Sequence, residues 1–131
     1  MDPMNRDALA QQRTDFARLR TLIAAERTLM AWIRTAISMI GFGFTIYQFF
    51  RYLAEAQGLA RPHAAQNLGL TLIALGTLVL IAAVFQHRQM LARLGDDARS
   101  AYRSLAFPVA ILMILIGVFV FFSVLSGFGP Y

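Results

Sequence analysis

Arginine recurs at every seventh residue in the first part of the chain, at Arg6, Arg13, Arg20, Arg27 and Arg34. Seven residues make nearly two helical turns, so on a helix these guanidinium groups share one face, drifting by about 20° per step. A row of planar, permanently charged donors suits the recognition of phosphate or carboxylate. Followed further, the same face carries Ser38, Gly41, Thr45, Gln48 and Tyr52. The other faces carry Leu29, Trp32, Ile33, Ile37, Met39, Ile40, Phe42, Phe44 and Ile46. A polar stripe on an apolar helix is out of place in lipid and is expected to face protein or water. The candidate anion-binding or pore-lining residues are therefore Arg20, Arg27, Arg34, Ser38 and Thr45.

Two arrangements satisfy this pattern. In one, Arg34 snorkels to the headgroups and Ser38 and Gly41 permit tight helix contact. At helical rise Arg34 lies only about 5 Å deeper than Ala31, so snorkelling is cheap. In the other, several copies of the helix surround an axis, and stacked arginine rings form an anion-attracting funnel. Glu26, beside Arg27, would pair with an arginine of a neighbouring helix in either case.

The elements that position these residues are membrane helices. The 131 residues are 58% hydrophobic, with a net charge of +5 and a mean hydropathy of +0.58. So much apolar content is unusual for a soluble domain of this size. It is concentrated in runs at about 29–50, 68–85 and 105–128. Each is near the roughly 20 residues that a spanning helix needs. The runs are apolar nearly all round, which argues against a soluble bundle of amphipathic helices. The expected class is all-α, a polytopic membrane protein with three transmembrane helices. Residues 1–28 are read as a cytoplasmic amphipathic helix continuous with the first span, and residues 29–128 as the transmembrane domain. Those first residues are too long and too charged for a signal-peptide n-region, so no cleaved leader is expected.

All twelve basic residues are arginine. Five precede Ala31, and Arg88, Arg93, Arg99 and Arg103 lie between the second and third spans; only Arg51 and Arg61 lie in the first connection, and none follows Leu125. By the positive-inside rule the N-terminus is cytoplasmic and the C-terminus is outside. A heptad-like apolar seam at Phe16, Leu19, Ile23, Met30, Ile33, Ile37, Ile40 and Phe44 is expected to pack against another helix. Gly69, Gly76 and Ala83 form a small-residue groove for close packing, expected to support self-association. Asp7 is the expected cap near the first helix's start, Gly58 and Arg61-Pro62-His63 separate the first two spans, and Gly95 ends the second. Asp96 or Asp97 caps the next helical stretch, and Pro108 is expected to kink the third span near its start. No internal repeat and no low-complexity stretch is read.

Other chemistry is thin. The chain has no cysteine, hence no disulfide framework and no thiolate metal site. His63 and His87 fall on opposite sides of the membrane, so no shared metal site is expected. No glycine-rich phosphate loop or nucleophile motif is present. The expectation is a protein that is not an enzyme, with no cofactor, no bound metal and no nucleic-acid partner. Its expected partners are membrane lipids, further copies of itself and an anionic polymer.

The segment LIAAERTLMAWIRTAISMIGFGF, residues 22–44, resembles the signature of domain-of-unknown-function family 202, the YidH-like bacterial inner-membrane proteins. The matching residues are Leu22 or Ile23, Glu26, Arg27, Thr28, then Ala31, Trp32, Arg34, Thr35, then Gly41. The resemblance implies a small polytopic protein of the bacterial plasma membrane without established catalytic activity. The same domain is similar to the membrane part of the vacuolar transporter chaperone, where first helices of several subunits line a polyphosphate path. Carried over, that similarity assigns the path-lining role to Arg27. It implies a homo-oligomer whose first helix binds or conducts a polyanion such as polyphosphate. The alternative is a non-conducting scaffold or lipid-binding subunit.

Overall fold

The computed structural model describes residues 2–58, 63–95 and 105–126. They form three helices, α1 (Pro3–Gln57), α2 (His63–Arg93) and α3 (Ala106–Leu125). Each is long and apolar enough to cross a membrane, with best windows of mean hydropathy 1.5, 2.6 and 2.8. The first value is the lowest because α1 carries Arg34 and the polar stripe into its span.

α1 is one uninterrupted helix of 55 residues, about 82 Å long. That is far more than a bilayer core of about 30 Å requires, so a long part of α1 must project beyond it. The helix begins earlier than expected. Pro3, not Asp7, sets its start: Asp2 is the N-cap, makes no side-chain capping bond, and Pro3 occupies the first turn. Proline fixes φ near the helical value and lacks only an N–H that would be orphaned there. At the other end Gly58 closes α1 in the left-handed region, φ 62°. Gly95 likewise follows α2 at φ 91°. Asp96, Asp97, Arg61 and Pro62 lie outside the described residues. Pro108 is the third residue of α3, in the first turn, where no intrahelical partner awaits its N–H.

The helices run up, down and up. One core layer joins Leu29, Ile33 and Ala36 of α1 to Leu80 and Ala83 of α2 and to Ala106 and Ala110 of α3. A second joins Ile40, Ile73 and Val124. The buried line on α1 is Leu22, Ala25, Leu29, Ile33, Ala36, Ile40 and Gly43. Its 3–4 spacing is that of left-handed helix packing. Of the expected seam, Ile33 and Ile40 are buried within the subunit, whereas Phe16, Leu19, Ile23, Met30, Ile37 and Phe44 are exposed on it. Small residues won because, between helices in lipid, close backbone approach counts for more than large apolar side chains.

α2 answers with Gly69, Ile73, Gly76, Thr77, Leu80, Ala83 and His87. The small-residue groove is therefore filled within the chain. A Cβ on Gly69 would stand 2.6 Å from the Gly43 carbonyl oxygen, and one on Gly43 2.7 Å from the Gly69 oxygen. One on Gly76 would meet Ile40, Met39 and the Ala36 carbonyl at 3.0–3.2 Å. α3 joins through Gly117, which lies against the Thr77 hydroxyl; that hydroxyl donates to the Ile73 carbonyl at 2.8 Å. Backbone cannot yield as a flexible side chain does. Gly43→Ala or Gly69→Ala should thus destabilise the folded chain by about 1–3 kcal/mol, read by denaturant unfolding in detergent. Unchanged stability in both variants would show that α1 and α2 do not touch there.

Candidate functional site

The five arginines of the stripe all project from α1 and are exposed. So are Ser38, Gly41 and Thr45 above them, while Gln48 is half-buried. The stripe lies opposite the face that α1 packs on α2 and α3. Arg20, Arg27, Arg34, Ser38 and Thr45 are thus brought onto one continuous surface, and among the described residues no other helix covers it. Around Arg27 and Arg34 the surface holds an open-sided recess of about 440 Å³, lined also by Ile23, Glu26, Met30 and Ala31.

The hydroxyls along α1 show a regularity missed in the sequence. Thr14, Thr21, Thr28 and Thr35 donate to the carbonyls of Ala10, Ala17, Ala24 and Ala31 at 3.0–3.1 Å. Behind this lies a seven-residue repeat, Ala-x-x-Arg-Thr, present four times at residues 10–14, 17–21, 24–28 and 31–35. It escapes notice because only three of every seven positions repeat. The series then continues as Ser38 donating to the Arg34 carbonyl at 3.0 Å and Thr45 to the Gly41 carbonyl at 2.8 Å. With their protons engaged internally, these hydroxyls present acceptor lone pairs outward. The arginines are left as the donors of the surface.

The motif residues divide between two faces. Arg27 and Arg34 belong to the exposed stripe. Thr28 and Trp32 instead line a cavity of about 150 Å³ between α1 and α2, together with Ala24, Ala25, Leu29, Ala83, Gln86, His87 and Met90. Glu26 is half-buried, and its charge acts on His87 of the same chain. Thr35 is exposed. His63 opens α2 and His87 lies near its far end, about 36 Å away at helical rise. Among the described residues no three histidine or carboxylate side chains gather as a metal site would need.

Where the third span meets the second, the Arg88 guanidinium stands 5.9 Å from the centre of the Phe107 ring, within cation–π range. On the other side, Arg93 of α2 lines a groove with Thr21 of α1, Gln86, Gln89 and Met90. Neither joins the arginine stripe.

No curated protein and no solved structure matches the chain. One family model does, over residues 20–93, more than half of the length, and its description is domain of unknown function (DUF202). The match takes in the last arginines of the stripe, the motif and all of α2. With its three membrane-length apolar helices, this chain is a small multi-pass membrane protein and belongs to the DUF202 family.

Proposed function

We propose that the protein assembles as a homo-oligomer in a bacterial plasma membrane and that its arginine-lined first helix binds or conducts a polyanion such as polyphosphate. The observation that carries this reading is the two-sidedness of α1. One face is used up inside the chain. The other exposes an arginine stripe that runs into the membrane as Ser38, Gly41 and Thr45. Beside it, Ile23, Met30, Ile37 and Phe44 recur at sevenfold spacing and are exposed. A strict seven-residue period suits helices that supercoil about one another. No catalytic step belongs to this reading.

A second reading, a non-conducting scaffold or lipid-binding subunit, is favoured by the hydroxyl bonds. Ser38 and Thr45 already have acceptors within α1 and need no polar neighbour. In that reading Arg34 reaches the headgroups alone. Native mass spectrometry in mild detergent separates the two. The first requires oligomers of the unaltered chain, and monomers alone would overturn it.

The same proposal places the N-terminus and the second connection in the cytoplasm. Reporter fusions after Arg61 and at Tyr131 should then both read as non-cytoplasmic. A cytoplasmic signal at Tyr131 would refute that topology.

A further inference from the structure

His87 sits where a leucine would be expected. It follows Ile73 and Leu80 at sevenfold spacing along the buried line of α2, and only 6% of its surface is exposed. Both ring nitrogens are buried and have no protein group in hydrogen-bond geometry. The Ala25 backbone is near enough to act on the ring without meeting that geometry. A neutral imidazole carries one donor and one acceptor, so burying both without partners is unfavourable. Apolar neighbours would not select such a residue for packing. The ring also borders the 150 Å³ cavity, which gives it room to turn.

Among the described residues the charged groups around the ring are few. From α1, Glu26 acts on it; Arg27 and Arg34 lie on the far, exposed face of that helix. From α2, Arg88 is next in the chain but stands over Phe107, and Arg93 lines a separate groove. α3 and its described flanks, 105–126, contain no titratable side chain. Burial is the larger influence and holds the ring's affinity for a proton below its ordinary value, while among the described residues Glu26 is the main group that favours the charged imidazole.

We propose that His87 and Glu26 form a proton-operated contact between α1 and α2 at the end of the membrane span where the arginine stripe enters. With the ring neutral, the two helices meet there through apolar packing around an unsatisfied imidazole. When the ring takes up a proton, the imidazolium and the Glu26 carboxylate attract, and the junction is held by charge. Each proton also adds a positive charge beneath Arg27, the residue following Glu26. If the polyanion reading above holds, anion binding strengthens on acidification; the proton contact itself does not depend on that reading.

Trp32 makes this testable. It is the only tryptophan and lines the same cavity as His87. A protonated imidazole quenches nearby indole emission far more than a neutral one. Trp32 fluorescence of the full chain in detergent, without any anion polymer, should fall through one transition on acidification, centred below the ordinary histidine value of 6.5 because burial of the ring outweighs the pull of Glu26. His87→Gln should abolish the transition. Glu26→Gln should move its midpoint to lower pH, because the carboxylate that favours the charged ring is gone. His63→Gln should leave it unchanged. The proposal is overturned by no transition in the unaltered protein, by one that survives His87→Gln, or by a midpoint that Glu26→Gln leaves in place. Should His87→Gln not fold, ring signals of 13C-labelled histidine in the unaltered chain supply the same test, with His63→Gln assigning the two. A His87 signal that ignores Glu26→Gln then overturns the contact. Loss of polyphosphate binding with the pH transition intact would count against the polyanion reading alone.

Discussion

Polyphosphate added to the purified protein is expected to raise its melting temperature, and Arg27→Ala or Arg34→Ala to remove most of that rise. Rings of arginine about a common axis would hold like charges together in a narrow space. Two unit charges about 8 Å apart at an effective dielectric of 20 repel by roughly 2 kcal/mol. A bound polyanion offsets that repulsion and stabilises whatever state binds it. At about one hundred times its dissociation constant the gain is about 2.7 kcal/mol. For a chain of this size that corresponds to a shift on the order of 10 °C. High salt should shrink the shift by screening. The control is Arg13→Ala, on the same stripe but well outside the span. Arg13 serves a surface polyanion as well as Arg34 does, whereas in the funnel reading only Arg27 and Arg34 lie where the stripe enters the membrane. Equal losses from Arg13→Ala and Arg34→Ala would remove the funnel and leave the scaffold reading. Under snorkelling, Arg34→Lys should be nearly silent.

How far the sequence discloses this molecule depends on which physical signal each feature carries. The three spans are plain because apolar runs of that length are stable in lipid and in few settings besides. The continuity of α1 is also plain, since no glycine or proline interrupts it from Asp7 to Ile40. The face that α1 buries is not. Hydrophobic periodicity points to Ile23, Met30, Ile37 and Phe44, but in lipid these large residues need no protein cover. The true contact uses Ala25, Ala36 and Gly43, which hydropathy scores poorly and which only the partner helix's Gly69 and Gly76 make intelligible. The arginine stripe is legible as a heptad, while its alanine and threonine companions are not, because neither residue is unusual alone. His87 looks isolated in the sequence because its relation to Glu26 spans two helices and 61 residues of chain. Only their packing brings them together.

Gly41→Leu should dissociate the oligomer while leaving the folded subunit intact, and this contrast with Gly43 is the sharpest test of the assembly. The two glycines are separated by one residue yet have opposite surroundings. A Cβ on Gly43 would collide with the Gly69 carbonyl, with Leu72 and with Ile73, whereas one on Gly41 meets nothing within 4 Å. Within a single chain a leucine at position 41 therefore has space. It also removes a glycine from a helix interior, which is worth about 0.5–1 kcal/mol of helix stability. The subunit should unfold no more easily than before, or slightly less so. In the assembly Gly41 follows Arg34 by seven residues on the stripe. Copies of α1 would approach one another there, at the level where the stripe is narrowest in side chain. A leucine would hold them apart, and the isobutyl group would also narrow any path along the axis. Native mass spectrometry should then find monomers of Gly41→Leu under conditions that preserve the unaltered oligomer. Gly43→Leu should instead lose the α1–α2 contact and unfold. If Gly41→Leu assembles as the unaltered chain does, the stripe faces lipid, and the arginines along it serve headgroups rather than a shared axis.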